Sequence, residues 1–214
     1  MYICQVNVLS CSPMPAPTRA RSPRGQGGRL REELLRAARE LLLELGDQDK
    51  LSVRAVTARA GVSPNALYLH FADREDLLSS LITAAYTDLR TFLADAVGDA
   101  AGPLERLRAF MLAYLEFAST HPGIYRVLFM TKLREGVPMP ERDAPSGADE
   151  GVDTFNDLLA VVDAVGAAGS DPFARAAELW ASLHGYASLK QVMPAFPWPS
   201  ERDYVERMIE VHMR

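Results

Sequence analysis

Cysteine is nearly missing from this 214-residue sequence: Cys4 and Cys11 are its only two, both within the first dozen positions. They provide neither a disulfide framework nor the paired spacing of a zinc site. Cystine-stapled folds are therefore excluded, and a reducing, cytoplasmic setting is expected. Aromatics amount to only 8%. No apolar run approaches the ~20 residues of a membrane-spanning helix, so no membrane partner is expected. Met1 to Ser10 carry no charge, unlike the basic start of a secretory signal. Chemistry-bearing patterns are scarce as well. No glycine-rich phosphate loop follows a strand, no Ser-His-Asp set can be argued, and His121, His184 and His212 have no metal-ligand spacing. No catalytic residue, metal or cofactor is expected. Basic charge is in deficit, 23 Lys+Arg against 28 Asp+Glu for a net −5. That excludes indiscriminate coating of nucleic acid while leaving room for a local patch.

What is present is an ordinary globular balance, 48% hydrophobic and 24% charged, long enough for one or two domains with a sizeable core. Residues 1–28 have no helical period, and the prolines at 13, 15 and 17 break any regular element, so a disordered extension is expected there. Its second half gathers Arg19, Arg21 and Arg24, with Arg29 and Arg31 just beyond, among Gly25, Gly27 and Gly28 and without one acid. A flexible arginine arm of this kind can enter a minor groove or lie along phosphates. A merely solubilising tail is the other reading.

From Leu30 an amphipathic helix runs through Leu34, Leu35, Ala38, Leu41, Leu42 and Leu45, ending near Gly46. Ser52 then reads as an N-cap, with Leu51 and Val56 placed as a hydrophobic staple. Gly61 stops that helix, and Ser63-Pro64 restarts another, with Pro64 at the first helical position. The second short helix is expected over Asn65–Phe71, with Asp73 as the next cap. Two short helices joined by a glycine-containing turn make a helix-turn-helix pattern. Val53, Val56, Ala60, Val62, Leu67 and Phe71 are spaced to pack inward. Ser63, Pro64, Asn65, Tyr68 and His70 are left on the outer face, where such a unit meets base edges. Residues 19–77 hold eleven basic against nine acidic side chains, and the remainder twelve against nineteen, so positive charge is concentrated in this part.

The stretch Leu30–Leu78 resembles the DNA-binding domain of tetracycline-repressor-like (TetR family) regulators, best over Ala60-Gly61-Val62-Ser63, Leu67-Tyr68, His70-Phe71 and Arg74-Glu75-Asp76-Leu77-Leu78. The resemblance implies a homodimer that reads a near-palindromic operator in double-stranded DNA, with a helical C-terminal domain that senses a small-molecule effector. Carried over residue by residue, Ser52 and Arg54 would face phosphates, and Ser63, Pro64 and Asn65 would stand at the groove. Asn65 alone among these can bond an adenine edge bidentately. Tyr68, His70 and Arg74 would contact backbone phosphates. The sequence departs from the family at Asn65, Ala66, Leu69 and Arg74, so no operator sequence can be carried over.

Downstream, an all-α pattern continues to about nine helices, with a helix-turn-helix domain over 29–77 and a ligand-sensing and dimerisation domain over 78–214. One long period covers Leu77, Leu81, Ala85, Leu89, Phe92, Leu93 and Val97. Gly102-Pro103 begins the next helix, His121-Pro122 interrupts it, and a nearly all-apolar run follows from Ile124 to Met130. A Pro- and Gly-rich stretch at 134–150 reads as a mobile loop. Further helices are expected from Val152, from Asp171-Pro172 and from Ser200, the last with Tyr204, Met208 and Val211 inward. Trp180 to Gly185 and His121 to Arg126 resemble a tryptophan–histidine–glycine subset of the family. In the family the last two helices pair between subunits, and Ala176, Ala177, Ala181, Gly185 and Ala187 are small enough for close approach, with Tyr204 and Met208 beside them. Phe110, Tyr114, Phe117, Tyr125, Phe129, Phe155 and Trp180 are candidates to line an effector pocket, and plain core residues otherwise. Trp180 and His184, one turn apart, are placed to pack together and hydrogen-bond. The expected function is a ligand-responsive regulator, a repressor released from DNA by a small, mainly apolar effector. A helical small-molecule carrier with an inactive DNA-binding head is the alternative.

Overall fold

The computed structural model describes residues 27–45, 48–98, 100–129, 150–166 and 171–213. Among these residues there are nine α-helices and no strand: α1 (Gly27–Leu45), α2 (Val53–Ala60), α3 (Pro64–Leu67), α4 (Arg74–Gly98), α5 (Pro103–Thr120), α6 (Pro122–Phe129), α7 (Glu150–Val165), α8 (Pro172–Val192) and α9 (Glu201–His212). A short 3-10 turn, Gln48–Lys50, joins the first two. The extension expected over 1–28 lies outside the described residues up to 26, as does the loop expected over 134–150 except for Glu150, which opens α7.

Local sequence signals place the first helices. The Ser52 hydroxyl accepts from the Ala55 amide at 3.2 Å and so caps α2. Gly61 ends α2 in the left-handed region at φ 68, where a side chain would be strained. The Asp73 carboxylate accepts from the Asp76 amide at 2.8 Å, and Asp76 in turn accepts from the Ala72 amide at 2.9 Å. This reciprocal pair orients the start of α4. Ser63 departs from expectation, since its side chain makes no cap bond at α3. The second short helix is also shorter than the period suggested. Regular α-helix stops at Leu67, and a turn carries the chain to Phe71 through amide bonds from His70 and Phe71 to the Leu67 carbonyl at 2.9 and 3.0 Å. Arg29 and Arg31 are corrected more substantially. They belong to α1 and not to a flexible arm: Arg29 pairs with Glu33 at 3.0 Å, and Arg31 bonds the Ser80 hydroxyl at 3.2 Å and lies over the Phe71 ring. Helical i,i+4 pairing and an aromatic surface within reach captured both.

Two apolar cores form. The first joins Leu34, Ala38 and Leu42 of α1 to Val56, Leu67, Phe71, Leu77 and Leu81. The second gathers Leu89, Leu93, Leu107, Met111, Phe117, Leu158, Leu179, Leu183 and Val205 from α4, α5, α7, α8 and α9. Helix α4 belongs to both, and Ile82 packs against each. Helix α6 also faces both ways. Its Val127 is buried in the first core, whereas Tyr125 and Leu128 are buried in the second. Gly123 brings the start of α6 against α1, because a Cβ there would stand 2.2 Å from a Leu43 methyl. On α9 the buried face is Val205 and Ile209, so the helix is rotated from the expected register and Val211 is 65% exposed. Buried Val205 and Ile209 share a face at i,i+4, and Val211 falls off it.

Candidate nucleic-acid interface and effector site

The helix-turn-helix presents one polar face. Ser52, Arg54, Ser63, Pro64, Asn65 and Tyr68 are exposed and His70 is half-buried, whereas Leu67 and Phe71 point into the core. Tyr68 is 54% exposed, which separates it from the buried aromatic next in sequence, Phe71. Most of the nearby basic charge is spent inside the protein. Arg36 pairs with Glu40, Arg39 with Asp88, and Arg59 with Glu44. Arg74, expected to face phosphate, donates through Nε to the Leu51 carbonyl at 2.7 Å and through its other nitrogens to the Gln48 carbonyl and to Glu75. It thereby holds the turn before α2 against the head of α4, bonding the Leu51 carbonyl and sharing the Gln48 carbonyl with the Leu51 amide. Among the described residues of this head, Arg54 is the guanidinium left without an ion pair or side-chain hydrogen bond, and it is exposed, as are Asn65 and Tyr68.

The second core carries a polar thread among aromatic rings. The Tyr114 and Tyr125 hydroxyls lie 3.4 Å apart, and the Tyr125 hydroxyl stands 2.7 Å from His184 Nδ1. Ser188 lies 3.4 Å from His184 Nε2. A neutral ring with its proton on Nε2 accepts from Tyr125 and donates to Ser188. Burial raises the Tyr114 pKa well above its usual value, so its hydroxyl stays protonated. The hydrogen bond expected between Trp180 and His184 is not the one formed; their rings are tilted 6.2 Å apart, and His184 turns to Tyr125 instead.

Burial also holds the His184 pKa below its usual 6.5. The unfolded chain therefore takes up a proton that the folded chain refuses. This group's contribution to stability is intact above that pH and is lost as the pH falls below it. His184→Gln is expected to shallow the decline of Tm as the pH falls below about 6.5. Parallel declines in both proteins would show that His184 is not a source of it.

The seven aromatics proposed for the pocket divide. Tyr114, Phe117 and Tyr125 are buried within the second core, Phe117 stacking on His121 at 4.8 Å. Phe110 is buried too, but it lies on the wall of a groove of about 610 Å³ between α4, α5 and α7. Leu93, Val97 and Val161 supply apolar surface there, and Thr87, Arg90 and Arg106 supply polar groups. Arg90 is fixed by Asp157 at 2.9 Å. Phe155 and Phe129 are half-buried, and Trp180 is 41% exposed, its ring edge-on to Phe155. A shallower cavity of about 440 Å³ between α7 and α8 is lined by Asn156, Asp163, Asp171 and Phe173. The polar groove residues of α4 were missed by sequence reasoning, which followed the apolar stripe of that helix; Thr87, Arg90 and Thr91 recur at i,i+3/i+4 on its other side.

On α8, Ala181 is exposed, Ala177 and Gly185 are half-buried, and a Cβ on Gly185 would meet nothing within 4 Å. Leu189 and Val192 are exposed further along the same helix, and neither was picked out from sequence. Tyr204 and Met208 are half-buried. The Tyr204 hydroxyl donates to the Ser182 carbonyl at 2.8 Å, tying α9 to α8. Ala176 and Ala187 are buried in the chain's own core and face inward, a correction to their expected place at a partner. Among the described residues, no group of three or more His, Cys, Asp or Glu side chains could hold a metal ion, and no helix is long and apolar enough to cross a membrane.

Residues 34–81 match the family model for bacterial regulatory proteins of the tetR family, and residues 107–212 match that for the tetracyclin repressor-like C-terminal domain. The chain belongs to the TetR family. It is a TetR-family regulator with a DNA-binding N-terminal domain and a ligand-binding C-terminal domain. Among solved structures, a protein of unknown function from Rhodococcus sp. RHA1 is 26% identical with a TM-score of 0.67, covering 86% of this chain and 94% of that one. The transcriptional regulator FadR from Bacillus subtilis, solved in complex with stearoyl-CoA, shares the fold at a TM-score of 0.64 and 15% identity, covering 85% of this chain and 97% of that one. The nucleoid occlusion factor SlmA of Pectobacterium carotovorum subsp. carotovorum is 32% identical over 98 residues, 46% of this chain and 50% of the relative. The chain spans about half the length of the curated relatives it matches.

Proposed function

We propose that this TetR-family regulator is a homodimeric repressor that binds a near-palindromic operator and is released by a small, mainly apolar effector. The observation that carries the proposal is the exposed set Arg54, Asn65 and Tyr68, whose side chains have no partner among the described residues, on a head joined to the second core by two helices. Ser52 and Arg54 hold phosphate, Ser63, Pro64 and Asn65 meet base edges, and Tyr68 and His70 fix register on the backbone. Arg74 acts at one remove, by bracing the turn on which Ser52 stands.

Two heads read both half-sites only when they stand about one DNA turn apart, ~34–36 Å. An effector that prefers the second core in another shape shifts that spacing and weakens DNA binding by linkage. Helix α4 is one lever. Helix α6 is the second, since Gly123 and Val127 engage the head while Tyr125 and Phe129 engage the rings around His184. The groove walled by Phe110, Leu93 and Val161 suits the apolar body of such an effector. That a FadR of this fold was solved with stearoyl-CoA supports an effector with a long apolar part.

Selection of bound sequences from random duplex DNA tests the reading, and an inverted repeat with half-sites one turn apart is expected. Arg54→Ala should weaken every selected site evenly and reduce the slope of log K against log salt by about 0.9 for each head. No enrichment at moderate salt would favour the small-molecule carrier with an inactive head. Effectors that bind without changing operator affinity would overturn the release mechanism.

A further inference from the structure

We propose that Leu69 reads the 5-methyl group of a thymine in each operator half-site, an inference that rests on the DNA-reading role above. Leu69 is 79% exposed, the highest value among the large apolar side chains of the described residues. Single exposed leucines are common on protein surfaces, so exposure alone decides nothing. Its position decides. The flanking Leu67 and Phe71 are 0% and 2% exposed, so this short segment is anchored on both sides of Leu69 and its outward direction is set by the fold. Fraying is not the cause.

The amide of Phe71 bonds the Leu67 carbonyl at 3.0 Å, which keeps a helical pitch through the turn after α3. Leu69 stands four positions beyond Asn65, and both are exposed, while Leu67 between them and Phe71 beyond are buried. An asparagine and a leucine in that order offer a bidentate amide and an apolar tip. In the major groove these match an adenine edge and the thymine methyl, the one apolar feature that base pairs present there. One helical turn rises ~5.4 Å and bases stack at ~3.4 Å, so the thymine falls within about two base-pair steps of the base that Asn65 contacts. Leu69 is thus a specificity residue that contributes by burying a methyl group, with no hydrogen bond.

The test uses the full chain and its selected operator, with each thymine replaced in turn by deoxyuridine, which removes only the methyl. Burial of one methyl corresponds to about a fourfold change in affinity. The natural protein is expected to lose about that factor at one thymine position per half-site. Leu69→Ala should bind more weakly overall and show no loss at that position, and Leu69→Met should restore the loss in part. A deoxyuridine profile that is flat for the natural protein, or identical for it and Leu69→Ala, overturns this inference and leaves the regulator reading standing. Absence of any specific DNA binding by the natural protein overturns both.

Discussion

Gly185→Arg is expected to leave the chain folded while separating the homodimer proposed above and lowering affinity for its selected operator by about a hundredfold or more. The position suits such a separation because the space is open on the single chain: a Cβ there meets nothing within 4 Å. Replacing an interior helical glycine favours α8 by up to ~1 kcal/mol, so loss of function through unfolding is not expected. A second copy packed on this surface would meet a long charged side chain where two backbones should approach. Ala181 one turn before, and Leu189 and Val192 beyond, leave the arginine flanked by apolar surface that a dimer would bury. Once the heads are no longer linked, each binds a half-site alone, and the gain from a second, tethered binding event disappears. Light scattering reads the mass, circular dichroism the helicity, and a titration with selected operator the affinity. A variant that is still a dimer would move the interface off this face of α8.

The parts of the fold legible in the sequence are those decided within a few residues. Ser52, Gly61, Asp73, Asp171 and Ser200 act at helix ends because capping involves only adjacent amides, and each stands at a boundary in the structure. The outer face of the helix-turn-helix was legible for the same reason: with Leu67 and Phe71 inward, Asn65 and Tyr68 had nowhere else to point. Contacts between distant segments were not legible. The guanidinium of Arg74 reaches carbonyls 23 and 26 positions earlier, and no local pattern distinguishes that from a phosphate contact. Arg31 finds Ser80 across 49 positions. The dual membership of α6 was hidden too, because a nearly all-apolar helix has no periodicity to say which face meets which core. Composition likewise could not separate a pocket wall from a core aromatic, since both ask for the same residue type.

That last ambiguity yields the other large effect. Phe117→Ala is expected to lower stability by ~3–5 kcal/mol, through lost burial and the cavity left behind. Phe117 is 2% exposed, with the His121 ring stacked on it at 4.8 Å and Phe92 edge-on at 5.6 Å. Phe92 belongs to α4 and His121 caps α5, on which Phe117 itself stands, so the space cannot close without moving α4, the helix that runs on from the head. A loss of this size is a large part of the ~5–15 kcal/mol that holds a typical domain together. Trp180→Ala, at a site 41% exposed, should cost far less in stability. It opens the ring cluster over Phe155 and His184, and its effect should therefore appear in effector binding while the melting temperature stays close to that of the natural protein. Denaturant unfolding of both variants, read beside effector titrations, separates the roles. If Phe117→Ala is as stable as the natural protein yet loses the effector, Phe117 is a pocket wall and the second core must open further than its packing implies.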